Sequence, residues 1–470
     1  MEKRQWSFDS LVLIFSIIVV AQLLGYAIPQ GEFERQPYPD NPNREMVVAG
    51  SYEYAGEADE VTLPPWHFLV AIPNGFAAAQ DIIFLVFIAG GVIKILRETG
   101  AIDAALHRAV HRLGSSPWVL IGGCLLLFGT GAYFIGMGEE YVPLVPIIVS
   151  MCLAMRMDAI VAMGMVWIPY GIGWAAAGTN PFGLFIAQGI AGVPLGSGAG
   201  LRFFMMLCFL GIAFHHIYRY ALSVQRDPAN SLVAHIDYSD GFEAPEDTSM
   251  TTRRIAILVV FVLGVLGFVM GSKNFGWYIP ELLAVFMGIG LISAAIGRLS
   301  ASDASRAFVK GAAEMTAAAL IIGFARSIEV VLSDGQIIDT IINAIAGVLV
   351  NFGAETSAVG MLFVQTICNF FIPSGSGQAF VTMPIMSPLA TLTGVPQQTA
   401  VLAYQFGDGF TNMVVPTSAL VMGALALGKI PYGAWVRFVM PLLVKLFALA
   451  IVFLVLTVHL GDAFGFHPPL

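Results

Sequence analysis

Apolar runs dominate this chain, and their lengths set the first expectations. The run at 8–28 follows Lys3 and Arg4 and is long enough to span a bilayer. It is longer than a typical signal-peptide apolar region and no small-x-small cleavage site follows it. It is therefore expected to be a retained anchor with its N-terminus inside. An acidic loop at 30–64 then lies outside. The run at 79–96 ends among Lys94, Arg97, Arg108 and Arg112, cations that mark a cytoplasmic end.

After Pro117 the pattern changes. Residues 118–133 and 141–155 are each about 15 long, short for a span at a rise of about 1.5 Å per residue. Residues 116–155 thus predict a re-entrant hairpin that enters from inside, with FIGMGEE (134–140) at its tip. Residues 157–190 predict a helix broken at GIGWAAAGTNPFG (171–183). GVPLGSGAG (192–200) falls outside, and 203–218 returns inward. Residues 219–254 predict a cytoplasmic linker with Arg219, Arg226, Arg253 and Arg254 at its ends.

The second half repeats the plan. Residues 255–270 go out, and 282–296 come in toward Arg298, Arg306 and Lys310. Residues 312–332 go out, and 327–350 carry no Lys or Arg. A second hairpin (357–390) enters from outside, its short helices 357–371 and 380–389 flanking IPSGSGQ (372–378). A second broken helix covers 400–428, interrupted at GDGFTN (407–412), and 435–460 is the last span. The expectation is an all-α polytopic membrane protein. It has two repeats, about nine spanning helices, two re-entrant hairpins and two broken helices, with the N-terminus cytoplasmic and the C-terminus periplasmic. Its divisions are an N-terminal repeat at 1–218, the linker, and a linking helix plus C-terminal repeat at 255–470.

Composition narrows the class. Apolar residues make up 57% and charged residues only 11%, against about a quarter charged in soluble proteins. That is too little charge to cover a soluble surface, so a disordered chain, a nucleic-acid binder and an ordinary cytosolic enzyme are excluded. The net charge of -9 is local in origin: eight acids (Glu32, Glu34, Asp40, Glu45, Glu53, Glu57, Asp59, Glu60) lie in the 30–64 loop. Cys124, Cys152, Cys208 and Cys368 sit in apolar stretches without metal-like spacing and read as buried apolar residues.

The halves align at an offset of 236, as in Gly75/Gly311, Ala77/Ala313, Ala89/Ala325, Leu96/Leu332, Asp103/Asp339, Gly171/Gly407 and Gly173/Gly409. The hairpin tips align at 239, through Gly136/Gly375, Gly138/Gly377 and Val142/Val381. Single matches are weak in apolar chains. The order span, amphipathic segment, hairpin, broken helix, span is stronger. Residues near 100–113 fall inside and their counterparts near 336–349 outside, so the repeats are inverted. Inverted repeats with paired broken helices mark secondary transporters, and the breaks point to the binding site.

The breaks suit a hard cation. Thr179 and Asn180 lie in the first, Thr411 and Asn412 in the second, and Ser374 and Ser376 cap the second hairpin. Gly136, Gly138, Gly375 and Gly377 permit the positive φ angles that tips need. Each of these residues alone reads rather as close helix packing; the four breaks in matching order read as function. Acids at membrane depth are functional candidates by default. These are Glu139 and Glu140 at the first tip and Asp408 in the second break. Either glutamate reads equally as a helix N-terminal cap. In the tip alignment Glu139 matches Gln378. Arg326 and Glu329 read as a helix-surface pair at i,i+3. No HExxH, GxSxG or Walker A motif is present, which argues against an enzyme.

The stretches GMGEEYVPLVPI, PYGIGWAAAGTNPFG, IPSGSGQAFVTMPIMSPLA and YQFGDGFTNMVVPTSALV resemble the YfcC-like proteins. These stand with the four-carbon dicarboxylate anaerobic carriers of the ion transporter superfamily, and the resemblance runs from about residue 5 to 460. It implies a homodimer with a scaffold and a mobile transport domain that works as an elevator. It also implies two sodium sites. Gly136, Gly138 and the glutamates with Thr179 and Asn180 would form one; Ser374, Gly375 and Gly377 with Thr411 and Asn412 would form the other. The Ser-Asn-Thr tips of dicarboxylate members are replaced here by GMGEE and PSGSG.

The expectation is a secondary transporter of a bacterial inner membrane, coupled to Na⁺ or alternatively H⁺, with no cofactor and no transition metal. Acids at the tip without Arg or Lys beside them favour an amino acid, in particular a basic one, or a small peptide. Glu139, Glu140, Ser374, Ser376, Gln378, Asn180, Asn412 and Asp408 are the expected substrate contacts. Glu139 or Glu140 takes the cationic end, and the second tip takes a carboxylate. The alternatives are proton-coupled transport or exchange of short-chain mono- or dicarboxylates, and a passive channel.

Overall fold

The computed structural model describes residues 10–38, 41–48, 50–56, 61–102, 104, 105, 108, 116–180, 182–238, 249–275, 277, 279–349, 352–461 and 466. Lys3, Arg4, Asp40, Glu57, Asp59, Glu60, Asp103, Arg112, residues 239–248 of the linker and most of the C-terminal tail lie outside the described residues.

Helix is the main element, but the acidic loop departs from an all-α reading. It carries β1 (Gly31–Glu32) paired with β4 (Glu53–Tyr54), and β2 (Arg35–Tyr38) paired with β3 (Asn41–Val47), both antiparallel. Short strands interrupted by Pro37 and Pro42 have no apolar alternation for a sequence pattern to catch. The loop docks beside residues 336–340: Gly31 N donates to Gln336 O at 3.1 Å, and Phe33 N to Asp339 Oδ2 at 3.0 Å. Arg35 Nη2 pairs with the same Asp339 oxygen at 2.8 Å. The acidic loop and residues 336–340 therefore share one side of the molecule.

The helices fall into two packed groups. The first holds α1 (Ser10–Ala27), α2 (His67–Ala78), α3 (Gln80–Glu98), α9 (Thr252–Phe275), α10 (Ile279–Gly297), α11 (Ala301–Glu314) and α12 (Thr316–Asp334). Within it α2 packs on α12 and α3 on α11. The second holds α4 (Pro117–Ile135), α5 (Val145–Ala154), α6 (Ala159–Ala175), α7 (Leu184–Ile190) and α8 (Ala199–Arg226). It also holds α14 (Ala354–Phe371), α15 (Gly375–Thr393), α16 (Gln397–Thr411), α17 (Ala419–Leu427) and α18 (Tyr432–Leu460). Between α12 and α14 runs α13 (Ile338–Leu349), which packs on α14.

Element bounds repeat at the offset of 236. Residues 80–98 of α3 map onto 316–334 of α12, and the last residue of α4, Ile135, maps onto the last of α14, Phe371. The pairs α2–α3 and α11–α12 are bent at their junctions by 59° and 45°. The expected runs at 79–96 and 312–332 are the second members of these pairs; α2, with Pro73 inside it, is an additional element. Among the described residues four helices are long and apolar enough to cross a bilayer, and six segments are if each bent pair is one span. The four include α4, the first arm of the first hairpin, while α1 and α6 have described apolar segments under 18 residues.

Several boundaries move. The first hairpin arm is 19 residues long, and the second arm of the second hairpin starts at Gly375 rather than 380. Its tip is only 372–374. The second break falls at 412–418, not 407–412, since α16 continues to Thr411. The first break is 176–183, so Gly171 and Gly173 are helical.

The helical glycines serve close crossing instead. Helices α6 and α16 are buried along nearly their whole lengths, each with apolar residues on all sides. They meet where a Cβ on Gly409 would lie 2.6 Å from Gly171 O and closer still to Ala175 N. Backbone atoms cannot yield as side chains do. Gly409→Ala is therefore expected to cost about 1–3 kcal/mol, seen as a lower thermal midpoint in detergent. Gly433→Ala, where a Cβ meets nothing within 4 Å, is the matched control and should not lower it.

Candidate functional site

A cavity of about 490 Å³ lies where the tips, the second break and the first helix group meet, within the range of small-molecule sites. The first tip contributes Gly136, Glu139 and Glu140. The second contributes Pro373, Ser374, Gly375 and Ser376, and the second break Asn412, Thr417 and Ser418. Tyr170, Trp174 and Phe182 form an aromatic wall. The first helix group supplies Ala78, Ala79, Asp81 and Ile82 at the α2–α3 bend, with Ile279 and Arg326.

The first tip follows from its glycines and acids. Gly136 ends α4 in a left-handed conformation at φ 80°, and its N–H bonds back to Ala132 O at 3.0 Å. A Cβ there would also run into the Asn180 amide. Glu139 and Glu140 open a short 3₁₀ helix, Glu139–Leu144. Glu140 Oε2 accepts from Gly138 N at 2.7 Å and so braces the tip. Trp174 Nε1 donates to Met137 O at 3.2 Å, tying the first broken helix to the same tip.

The second tip is built differently. Ser374 caps α15, its Oγ accepting from Gly377 N at 3.3 Å. Among the four tip glycines only Gly136 has positive φ; Gly138 has φ −157°, and Gly375 and Gly377 are helical. Gly375 is small for another reason: a Cβ would press on the Trp174 ring at 2.6 Å and approach Asp408 Oδ2 at 3.2 Å. Tyr404 Oη holds the tip by donating to Gly375 O at 2.5 Å.

A polar cluster lies under this second tip. Asn369 Nδ2 donates to Asp408 O at 3.1 Å, Thr411 Oγ1 at 2.7 Å and Asn412 Oδ1 at 2.9 Å. Asn412 Nδ2 donates to Asp408 Oδ1 at 2.7 Å. Asn369 Oδ1 is buried without a partner among the described residues. The first half has no equivalent: at the 236 offset the matching positions are Tyr133, Ile172, Ala175 and Ala176.

The expected residues therefore divide. Glu139, Glu140, Ser374, Ser376, Asn412, Gly136 and Gly375 come together at the cavity. Asp408 and Thr411 stand behind it in the Asn369 cluster. Gln378 is turned away: it is fully buried and donates to Gln365 O at 2.8 Å and Gln365 Oε1 at 2.6 Å, joining the hairpin arms. Asn180 is fully buried and folds the turn before α7, its Oδ1 accepting from Phe182 N at 2.8 Å and Gly183 N at 3.2 Å. Thr179 pins the break to the first arm by donating to Phe134 O at 2.8 Å. Thr417 makes the matching bond to Phe370 O at 2.8 Å. Thr417, not Thr411, is thus the counterpart of Thr179, so the Thr-Asn pairs read from the two breaks are not equivalent. The tip match at 239 also fails: Glu139 and Glu140 open one arm where Gly375 and Ser376 open the other, at 236.

Three contributors were beyond the sequence reading. Asn369 sits in an apolar arm, where a lone Asn signals nothing. Asp81 stands near the start of the expected run at 79–96, where an acid carries no special signal, and Arg326 reads from sequence as half of a surface ion pair. The Arg326–Glu329 pair does form, but Arg326 also lines the cavity, so the site is not free of cations as the tips alone suggested.

The whole chain has relatives. Residues 8–459 match the family described as C4-dicarboxylate anaerobic carriers. YfcC of Escherichia coli strain K12, provisionally named a basic amino acid antiporter, is 30% identical over 488 residues, covering 95% of this chain and 96% of that one. An uncharacterized protein of Haemophilus influenzae is 28% identical over 502 residues, 98% of each chain. Among solved structures, the Alcanivorax borkumensis YdaH transporter aligns with TM-score 0.43 and 14% identity, over 98% of this chain and 100% of that one. Neisseria gonorrhoeae MtrF, described with a class of antimetabolite efflux pumps, aligns with TM-score 0.38 and 16% identity, over 96% and 95%.

Proposed function

The chain belongs to the C4-dicarboxylate anaerobic carrier family, whose members are transporters and not enzymes, and from that premise we propose that it is a sodium-coupled carrier of an amino acid, in particular a basic one. The observation that carries this reading is the charge of the cavity wall: Asp81, Glu139 and Glu140 against Arg326. Two ammonium-type groups can pair with Glu139 and Glu140 and one carboxylate with Arg326, whereas a dianion adds to the acidic excess of the wall. The name given to the E. coli relative points the same way.

The coupling ion has a place of its own. Asp408 O, Thr411 Oγ1 and Asn412 Oδ1 converge on one amide nitrogen. Turning the Asn369 amide about its last torsion puts Oδ1 there instead and makes an all-oxygen site, the ligand set of a hard cation. The Asp408 carboxylate beside it supplies the balancing charge. The Asn369 cluster has no counterpart in the first half, where Tyr133, Ile172, Ala175 and Ala176 stand at those positions. The two helix groups, meeting at the cavity, are the scaffold and the moving body of an elevator. The working unit is a homodimer in a bacterial inner membrane, N-terminus cytoplasmic and C-terminus periplasmic.

Purified protein in liposomes is expected to take up labelled lysine or arginine, faster with sodium than with choline at fixed pH. If succinate competes for the site and amino acids do not, the substrate reading fails. If sodium has no effect, the coupling ion is the proton. Arg326 favours one second reading, exchange of short-chain carboxylates, and the same competition series decides between the two.

A further inference from the structure

Among the described residues that line the cavity Arg326 alone carries a fixed positive charge, and it comes from a different helix group than the hairpin acids. We infer that Arg326 on α12 is the group that binds the substrate carboxylate and so selects amino acids over the corresponding amines. This rests on the amino-acid reading above.

Three observations support it. First, Arg326 lines the cavity while Glu329, its partner one turn on, does not. The pair engages Nη1, and the remaining donors of the guanidinium fork have no partner among the described residues. A guanidinium presents five donors in a plane, matched to a carboxylate. Second, the alternative holder is weaker than the sequence suggests. Ser374 Oγ accepts from Gly377 N in capping α15 and offers a carboxylate only its single hydroxyl donor, and the second tip carries no cation. A carboxylate drawn from water into an apolar-walled site needs a paired charge, not hydroxyls alone. Third, the wall has both signs on different elements. Glu139 and Glu140 belong to the hairpin group, and Arg326 to the group containing α2, α3 and α11. A substrate with ammonium and carboxylate ends would contact both groups. Asp81, in the first turn of α3, is explained by the favourable field of a helix N-terminus and is not needed.

The test compares binding of lysine and cadaverine, which is lysine without its carboxylate, by thermal shift and calorimetry on the purified full chain. Wild type is expected to prefer lysine at least tenfold. In Arg326→Gln that preference is expected to collapse to near unity, with cadaverine affinity unchanged, while the ligand-free thermal midpoint falls because Glu329 loses its ion-pair partner. Arg326→Lys, which keeps the charge and loses the fork, is expected to fall between. A variant Arg326→Gln that folds and still prefers lysine as wild type does overturns the assignment, leaving the substrate reading intact. Wild type that binds no amino acid overturns the substrate reading, and this inference with it. If Arg326→Gln is unstable, Arg326→Lys with an unaltered lysine preference overturns it equally.

Discussion

Glu139→Gln is expected to cut lysine uptake at least about 30-fold, the worth of about 2 kcal/mol, without lowering the thermal midpoint. The two adjacent glutamates make this a sharp test because their surroundings differ. Glu140 Oε2 accepts the Gly138 N–H at 2.7 Å, so it organises the chain reversal after Gly136. Its amide variant loses a charge-assisted bond and is expected to lower the thermal midpoint as well as uptake. Glu139 is the first residue of the 3₁₀ helix and lines the cavity. Gly375 stands at its place in the second half, so nothing in the repeated architecture requires an acid there. A carboxylate at membrane depth that lines a cavity is a functional candidate. Uptake by Glu139→Gln equal to wild type would remove the cationic-end assignment. A loss confined to lysine and arginine, with neutral amino acids unaffected, would place the side-chain ammonium rather than the α-amino group at Glu139.

How much of this was legible in the sequence depends on the range over which each signal acts. The first tip was readable because GMGEE interrupts an apolar run with glycines and acids, and a helix cannot pass that point at low cost. The first break was readable through the Gly-Thr-Asn-Pro run. The second was misplaced because GDG has two uses: glycines stop helices, and they also let helices cross. Only the neighbour decides, and Gly409 faces Gly171 O. Asn369 and Arg326 were illegible for a related reason. Each is a single polar residue in an apolar helix, and its meaning comes from partners on other helices: Asp408, Thr411 and Asn412 for one, the opposite tip for the other. The match of Asp103 with Asp339 was read only as a repeat, whereas the Arg35 pairing ties Asp339 to the acidic loop. That contact joins residues 304 apart, beyond any periodicity.

Asp408→Asn is expected to abolish the stabilisation of the protein by sodium. A ligand that binds only the folded chain adds about 2.7 kcal/mol at 100 times its Kd, so the wild-type thermal midpoint should rise with sodium and not with choline. Asparagine has the shape of aspartate, and its amide oxygen still accepts the Asn412 Nδ2–H that Asp408 Oδ1 now accepts at 2.7 Å. The fold should survive, and only the charge is removed. Without it, a cation among Asp408 O, Thr411 Oγ1, Asn412 Oδ1 and the turned Asn369 amide is held by neutral oxygens in a buried place, which is unfavourable. Thr411→Val tests the ligand set separately, since it removes one oxygen at nearly constant volume. It should weaken the sodium effect without abolishing it. Gly375 links this site to the cargo: its missing side chain lets the second tip rest against both Trp174 and Asp408. Sodium drawn to Asp408 would thus fix the tip that closes the cavity, and Asp408→Asn should lose lysine affinity gained from sodium along with the thermal shift. A sodium-induced shift preserved in Asp408→Asn would show that the ion binds elsewhere, and sodium-stimulated uptake preserved in the same variant would show that the coupling does not run through this cluster.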